Sequence, residues 1–97
     1  MEIGDYIIVR TYSAGVFAGI LAGRKGKKEV TLAKARRLWY WEGAASLSQL
    51  AVDGPQKPLK CKFPVEVREI VLTGAIELLS VSDKAKKIIE EVPVWKM

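Results

Sequence analysis

The chain has 97 residues, a length that accommodates one domain with a single modest core. Hydrophobic residues make up 49% of it and charged residues 28%, which is typical of a globular protein and excludes a disordered tail. No apolar run approaches the roughly 18 residues of a membrane span, and no signal-peptide pattern opens the sequence. One cysteine excludes an intramolecular disulfide and a cysteine zinc site, so we expect a cytoplasmic protein.

The net charge of +5 is concentrated in local groups of basic residues. Three such groups stand out: Arg24, Lys25, Lys27 and Lys28; Lys34, Arg36 and Arg37; and Lys57, Lys60 and Lys62. Basic groups of this kind are typical of proteins that bind nucleic acid or a small anionic ligand. For the first group, a solvated hairpin tip is the favoured interpretation.

Alternating hydrophobic residues and turn signals predict three strands in the first part of the chain. We expect them to form an antiparallel meander. The predicted elements are a strand from Asp5 to Tyr12, a turn at Ser13–Gly15, a strand from Val16 to Gly23, a hairpin turn from Arg24 to Lys28 centred on Gly26, and a strand from Glu29 to Trp41. The last strand is long for a single element, so we expect a bulge or bend near Lys34.

The second part of the chain carries two helix signatures. Ser46 and Gln49 have the spacing of a capping box, and Gly54 followed by Pro55 predicts the end of that short helix. After it we expect a loop from Pro55 to Pro64, strands from Val65 to Leu72 and from Ala75 to Val81, an amphipathic helix from Ser82 or Asp83 to Val92, and a tail whose Trp95 folds back on the body.

The predicted elements define an α+β fold in a single domain over residues 1–97. We expect a small curled antiparallel sheet of about five strands, barrel-like or SH3-like. One short helix is inserted in it and one helix follows at the C-terminus.

The most informative stretch is the run Arg-Arg-Leu-Trp-Tyr-Trp from Arg36 to Trp41. In a strand, Arg37, Trp39 and Trp41 lie on one face, and Arg36, Leu38 and Tyr40 lie on the other. Each face then carries an arginine and at least one aromatic ring. Guanidinium groups and indole rings together bind phosphates and stack on bases, so this stretch is the first candidate for a ligand surface. The alternative is an ordinary strand with one tryptophan in the core.

Enzyme chemistry is not expected. The chain has no histidine, and it has no pattern that pairs carboxylates as an acid and a base. Cys61 stands between Lys60 and Lys62, but no histidine is present to activate its thiol. We therefore predict no catalytic residue, no metal site and no cofactor.

Four blocks resemble a family of small uncharacterised phage and prophage proteins. The blocks are Arg10–Gly19, Ala35–Gly43, Ala45–Ala51 and Cys61–Pro64, and the resemblance extends to about Trp95. The size and the Arg-Thr and aromatic blocks are also similar to phage "sponge" proteins, which sequester the cyclic nucleotide signals of bacterial defence systems such as CBASS and Thoeris. This resemblance implies a location in the host cell cytoplasm and a cyclic di- or oligonucleotide ligand.

Together the resemblance and the residue patterns give one set of candidate ligand-binding residues: Arg10, Thr11, Tyr12, Ser13, Arg36, Arg37, Trp39, Tyr40, Trp41, Ser46 and Lys62. Three functions compete for them. The first is an anti-defence protein that sequesters a cyclic nucleotide without cleaving it. The second is a nucleic-acid-binding module, and the third is a protein that inhibits a host enzyme. We also expect a homodimer, because the aromatic surface is large for one modest core.

Overall fold

The computed structural model describes all 97 residues, and it has the predicted α+β fold. Its elements are the strands β1 (Tyr6–Thr11), β2 (Val16–Lys25), β3 (Glu29–Arg37), β4 (Val67–Leu72) and β5 (Ala75–Ser80), the helices α1 (Leu47–Asp53) and α2 (Asp83–Glu91), and one turn of 3₁₀ helix at Pro58–Lys60. Neither helix is long and apolar enough to cross a membrane.

The five strands form one antiparallel sheet in the order β4-β3-β2-β1-β5. The predicted meander of β1, β2 and β3 is confirmed. Although β4 and β5 are consecutive in the chain, they lie at opposite edges of the sheet and do not pair. The sheet is therefore not closed into a barrel, and β4 and β5 are its two edge strands.

A β-bulge lies in β3, at the position where the sequence predicts one. Ala18 pairs with Arg36 and Ile20 pairs with Ala33, so β3 has one residue more than β2 across this interval. Lys34 takes the extra place and has a left-handed backbone, with φ of 50°. Gly19 lies opposite, where a Cβ atom would stand only 3.0 Å from the carbonyl oxygen of Ala33. The glycine therefore allows the two backbones to approach at the bulge.

Two hydrophobic cores lie on the two faces of the sheet. The first contains nine buried residues that all come from strands or their ends, among them Val9, Phe17 and Leu32. Because no helix contributes to it, the sheet must curl around this core. The second joins Ile8 and Ala18 of the sheet to the helices α1 and α2 and to the segment from Cys61 to Phe63.

Both helices begin at the predicted caps. The hydroxyl oxygen of Ser46 accepts a hydrogen bond from the N–H of Gln49 at 3.1 Å, and the Gln49 side chain accepts one from the N–H of Ala45. The hydroxyl of Ser82 accepts a hydrogen bond from the N–H of Ala85 in the same way. Local hydrogen bonds of this kind can be predicted because donor and acceptor lie within one turn.

The prediction of a strand continuing to Trp41 was wrong. The strand β3 ends at Arg37, and only an isolated bridge between Tyr40 and Lys62 follows. The chain leaves the sheet there because α1 must cross to the second core. Trp39 and Trp41 therefore lie outside the regular sheet.

Candidate functional site

An open cleft lies at the end of the sheet where β2 begins and β3 ends. It has a volume of about 530 Å³. Its wall consists of the turn between β1 and β2 on one side and the segment that follows β3 on the other: Ser13, Ala14, Gly15, Val16, Arg37, Leu38, Trp39 and Trp41. We call it the tryptophan cleft.

The register of the sheet brings these two segments together. Phe17 pairs with Arg37, and one step further the N–H of Leu38 donates a hydrogen bond to the carbonyl oxygen of Val16 at 2.8 Å. The β1–β2 turn closes beside this contact, with Gly15 at φ of 101°. The three residues that the predicted alternation put on one face, Arg37, Trp39 and Trp41, all line this cleft, although the strand that the prediction assumed ends at Arg37.

Arg37 supplies the only charge of the tryptophan cleft. Its guanidinium lies over the ring of Phe17, with its central carbon 4.7 Å from the ring centroid. The side chain is exposed and makes no hydrogen bond or salt bridge within the chain. A cation that is held by stacking and has no carboxylate partner remains available for an anionic ligand.

The two indole rings differ in their exposure. Trp39 is 65% exposed, whereas Trp41 is half-buried and packs against the second core. Trp41 is therefore fixed by the fold, and Trp39 presents a free ring to solvent. Ser13 adds a hydroxyl group that makes no hydrogen bond within the chain. The cleft thus combines a guanidinium, two aromatic surfaces and one hydroxyl, a set that suits a planar ligand carrying phosphate.

Arg36 does not contribute to the cleft, although it is the neighbour of Arg37. It is 5% exposed, and its guanidinium donates hydrogen bonds to three backbone carbonyl oxygens, those of Phe63, Pro64 and Ile89, at 2.9–3.1 Å. Burial lowers the pKa of Arg36 from its ordinary value. The structure gives Arg36 a structural role away from the cleft: it joins the end of α2 to the segment before β4, and three of its five N–H groups donate to backbone carbonyl oxygens.

Three further predicted residues have structural contacts of their own. The Arg10 side chain forms a salt bridge with Glu77 at 2.9 Å. The hydroxyl of Thr11 donates to the carbonyl oxygen of Gly15 and accepts from the N–H of Ala14, which stabilises the β1–β2 turn. Ser46 caps α1. None of the three lines the tryptophan cleft. Tyr12 is also outside it, 84% exposed.

Residues 4–89 match a protein family described as a domain of unknown function (DUF6948). The chain belongs to the DUF6948 family. No curated protein and no solved structure matches it. All residues of the tryptophan cleft lie within the matched range.

A second aromatic cluster includes the predicted residues Tyr40 and Lys62. The Lys62 ammonium lies 5.5 Å from the centroid of the Tyr40 ring and 5.7 Å from that of Trp95. Tyr40 also donates a hydrogen bond to Glu42, which raises the pKa of its hydroxyl. The N–H of Trp95 bonds to the carbonyl oxygen of Phe63, so the tail of the DUF6948 protein folds back as predicted. This cluster already holds its own cation and is separate from the tryptophan cleft.

Cys61 of the DUF6948 domain is buried, and its thiol donates weak hydrogen bonds to the carbonyl oxygens of Lys57 and Glu42. Burial raises the pKa of the thiol. The nucleophilic thiolate form is therefore disfavoured at neutral pH.

The sequence did not predict four residues of the cleft: Ala14, Gly15, Val16 and Leu38. They are apolar residues of ordinary strands and turns. The one available signal was the hairpin register, which would have placed the β1–β2 turn beside the end of β3.

Proposed function

We propose that this DUF6948 protein binds a nucleotide in the tryptophan cleft and retains it without cleaving it. The observation that carries the proposal is the arrangement of Arg37: an exposed, unpaired guanidinium lies in one cleft with Trp39 and Trp41. In this proposal Arg37 contacts a phosphate group and Trp39 stacks on a base. Trp41, held by the second core, forms the floor of the site.

The class of ligand that we propose is a cyclic di- or oligonucleotide. The similarity of the chain's size and of its Arg-Thr and aromatic blocks to phage sponge proteins is the reason for this choice. The volume of the cleft, about 530 Å³, also lies in the range of small-molecule sites. In this role a phage-encoded protein would lower the free concentration of a bacterial defence signal in the host cytoplasm. Sequestration requires binding alone, which agrees with the buried, protonated thiol of Cys61.

The test is to purify the protein from cells that synthesise a panel of cyclic dinucleotides and to identify the retained small molecules by mass spectrometry. We expect one cyclic nucleotide to co-purify in intact form. Arg37→Ala should reduce its retention, whereas Arg24→Ala should not, because Arg24 lies at the far end of β2. Recovery of the same amount of nucleotide with Arg37→Ala would disprove the site, and recovery of a hydrolysed product would disprove retention without cleavage.

A second candidate function rests on the tip of the β2–β3 hairpin. Arg24, Lys25, Lys27 and Lys28 are all exposed there and form no salt bridge. The ten residues of β2, from Val16 to Lys25, place this tip about 30 Å from the tryptophan cleft. A nucleic acid that contacted both the hairpin tip and the tryptophan cleft would bind through many phosphate groups.

Salt dependence separates the two functions. Binding of a polynucleotide neutralises many phosphates, so its affinity falls steeply with salt, whereas a cleft holding two or three phosphates responds weakly. A cyclic dinucleotide and a single-stranded oligonucleotide should each be titrated at two salt concentrations. Steeply salt-dependent binding of the oligonucleotide alone would favour the nucleic-acid-binding module.

A further inference from the structure

A second cavity, with a volume of about 300 Å³, lies next to the tryptophan cleft on the face of the sheet that carries the first core. We call it the β3 groove. The buried residues Phe17 and Ala35 form its floor, and the exposed residues Val65 and Val67 form part of its rim. Arg37 is the one residue that lines both the β3 groove and the tryptophan cleft, so its side chain stands at the junction of the two cavities.

The register of β3 places the two cavities on opposite sides of Arg37. Ala35 precedes Arg37 by two residues, pairs with Val67 of β4 and lines the β3 groove. Leu38 and Trp39 follow Arg37 and line the tryptophan cleft. Ala35 and Trp39 are four residues apart, which corresponds to about 13 Å in an extended chain. A ligand with two planar groups can therefore reach both cavities while its centre contacts Arg37.

The single charge at the junction favours a phosphate diester. Arg37 is the only charged residue in either cavity, and it has no carboxylate partner. A phosphate diester carries one negative charge, which one guanidinium can balance through two parallel hydrogen bonds. A terminal phosphate monoester carries a charge of about −1.5 to −2 at pH 7, so part of its charge would remain unbalanced. The junction therefore suits a phosphate that joins two nucleosides.

The β3 groove suits the face of a base. Apart from Arg37 its lining residues are all apolar, so it offers a surface for a planar ring and no other side chain that could read the ring's polar edge. Val65 and Val67 at the rim are 63% and 42% exposed, so that edge can remain in contact with water. We therefore expect the groove to bind a base through its face, with a preference for the larger purines.

We propose that the protein binds a dinucleotide across both cavities. The phosphodiester contacts Arg37, one base stacks on Trp39 in the tryptophan cleft, and the second base lies in the β3 groove against Val67. This inference rests on the proposed nucleotide-binding function, and it adds the position of the second base and the residues that select two bases over one. Each chain carries both cavities, so each chain holds its own ligand, whether the protein is a monomer or a dimer.

The test compares cyclic ligands that have two bases with cyclic ligands that have one. The probes are cyclic di-AMP and cyclic di-GMP, and the matched single-base diesters cyclic AMP and cyclic GMP, titrated by calorimetry at one salt concentration. A bound base contributes roughly fivefold or more in affinity, so at least one cyclic dinucleotide should bind at least about fivefold more tightly than its single-base counterpart. We expect one dinucleotide per chain. One dinucleotide per two chains would place the second base in another copy and would overturn the proposal.

A variant of the groove tests the second base directly. Val67→Gln replaces an apolar wall by a polar side chain, so it should weaken dinucleotide binding at least about fivefold and leave the single-base ligands within about twofold. The matched variant Val71→Gln changes a valine of the same strand that is 52% exposed and lines neither cavity, and it should alter neither affinity. In methyl NMR spectra, the Val67 resonances should shift with the dinucleotide and not with the single-base ligand.

The outcomes separate this inference from the proposed function. If Val67→Gln leaves dinucleotide affinity unchanged while Trp39→Ala lowers it, the second base does not occupy the groove, and the tryptophan cleft alone binds the nucleotide. Equal losses in Val67→Gln and Val71→Gln, or equal affinity for one base and two, would also overturn the inference. If none of the four probes binds, the inference and the proposed function are both wrong.

Discussion

The guanidinium of Arg37 lies over the ring of Phe17 at 4.7 Å, although Phe17 belongs to the strand-lined core and Arg37 is exposed. The ring therefore fixes the position of a charge that no carboxylate neutralises. Because Arg36 points to the other face and donates three hydrogen bonds to backbone carbonyl groups, the two neighbouring arginines have different roles.

We predict that Arg37→Ala weakens nucleotide binding, whereas Arg36→Ala lowers stability. A charge-assisted contact to phosphate contributes about 1.5–3 kcal/mol, so Arg37→Ala should weaken nucleotide binding roughly 10- to 150-fold with little change in stability. Arg36→Ala leaves buried carbonyl groups without donors and should lower the free energy of unfolding by about 3 kcal/mol. Calorimetry and denaturant titration measure the two effects. Unchanged nucleotide affinity in Arg37→Ala would contradict the assignment.

The stacking role of Trp39 can be tested against an aromatic residue outside the cleft. Base–aromatic stacking contributes about 1–3 kcal/mol, so Trp39→Ala should weaken nucleotide binding roughly 5- to 150-fold. Tyr12→Ala removes a ring that is 84% exposed and does not line the cleft, and it should leave affinity unchanged. Quenching of tryptophan fluorescence by the nucleotide, lost in Trp39→Ala, provides an independent measurement. Equal losses in both variants would indicate a different binding surface.

Gly43 should be required for stability in a way that Gly26 is not. Both glycines have positive φ, 88° and 64°. A Cβ atom on Gly43 would meet the backbone nitrogen of Lys57 at 2.5 Å, whereas one on Gly26 would meet nothing within 4 Å. Gly26→Ala should therefore cost about 1 kcal/mol, and Gly43→Ala a further 1–3 kcal/mol. Thermal or denaturant unfolding compares them, and equal losses would disprove the close approach.

Alkaline pH should destabilise the protein through two groups that fold in their protonated form. Burial raises the pKa of Cys61 above its ordinary 9.0, and burial and then Glu90 raise that of Tyr6 above its ordinary 10.0. The folded state holds both protons more tightly, so this contribution is complete below about pH 9 and is lost as the pH rises.

The matched variant for this prediction is Tyr6→Phe. The Tyr6 hydroxyl makes no hydrogen bond within the chain, so the variant should keep its stability at pH 7 within about 1 kcal/mol. Above pH 10 each group accounts for at most about 1.4 kcal/mol per pH unit, and Tyr6→Phe should remove its share of the decline. Urea titrations at pH 7, 9, 10 and 11 would show this, and an unchanged decline would rule out Tyr6 as a source.

We predict a homodimer in solution. Trp39 and Trp95 are 65% and 47% exposed, and the tryptophan cleft is open to solvent. Pairing two copies through the segment Leu38–Trp41 or through the Trp95 tail would bury these rings and enclose a ligand between symmetric halves. Light scattering or sedimentation distinguishes the dimer from the 10.8 kDa monomer. A monomer that binds nucleotide would show that one chain forms the complete site.

Local patterns in the sequence predict much of this structure. The caps of both helices, the turns at Gly15 and Gly26 and the bulge at Lys34 each depend on residues close in the chain. The aromatic stretch also grouped Arg37 with Trp39 and Trp41, which line one cleft although the predicted strand ends at Arg37. Local patterns do not predict which face of β3 other segments of the chain cover. Arg36 is buried because its guanidinium binds carbonyl groups of residues 27, 28 and 53 positions further along the chain.

The bulge at Lys34 determines that Arg37, and not Arg36, is exposed to solvent. If Lys34 instead took a regular place in the ladder, every side chain after it would move to the opposite face of the sheet. Arg37 would then point to the interior, and Arg36 would be exposed in its place. Deleting Lys34 would leave both arginines on their present faces. Ala33 would still pair with Ile20 and Arg36 with Ala18, now in a regular ladder without a bulge. Inserting one residue between Ala35 and Arg36 would exchange the faces of the two arginines. Which arginine supplies the charge of the cleft thus depends on whether the strand accommodates Lys34 outside its regular ladder.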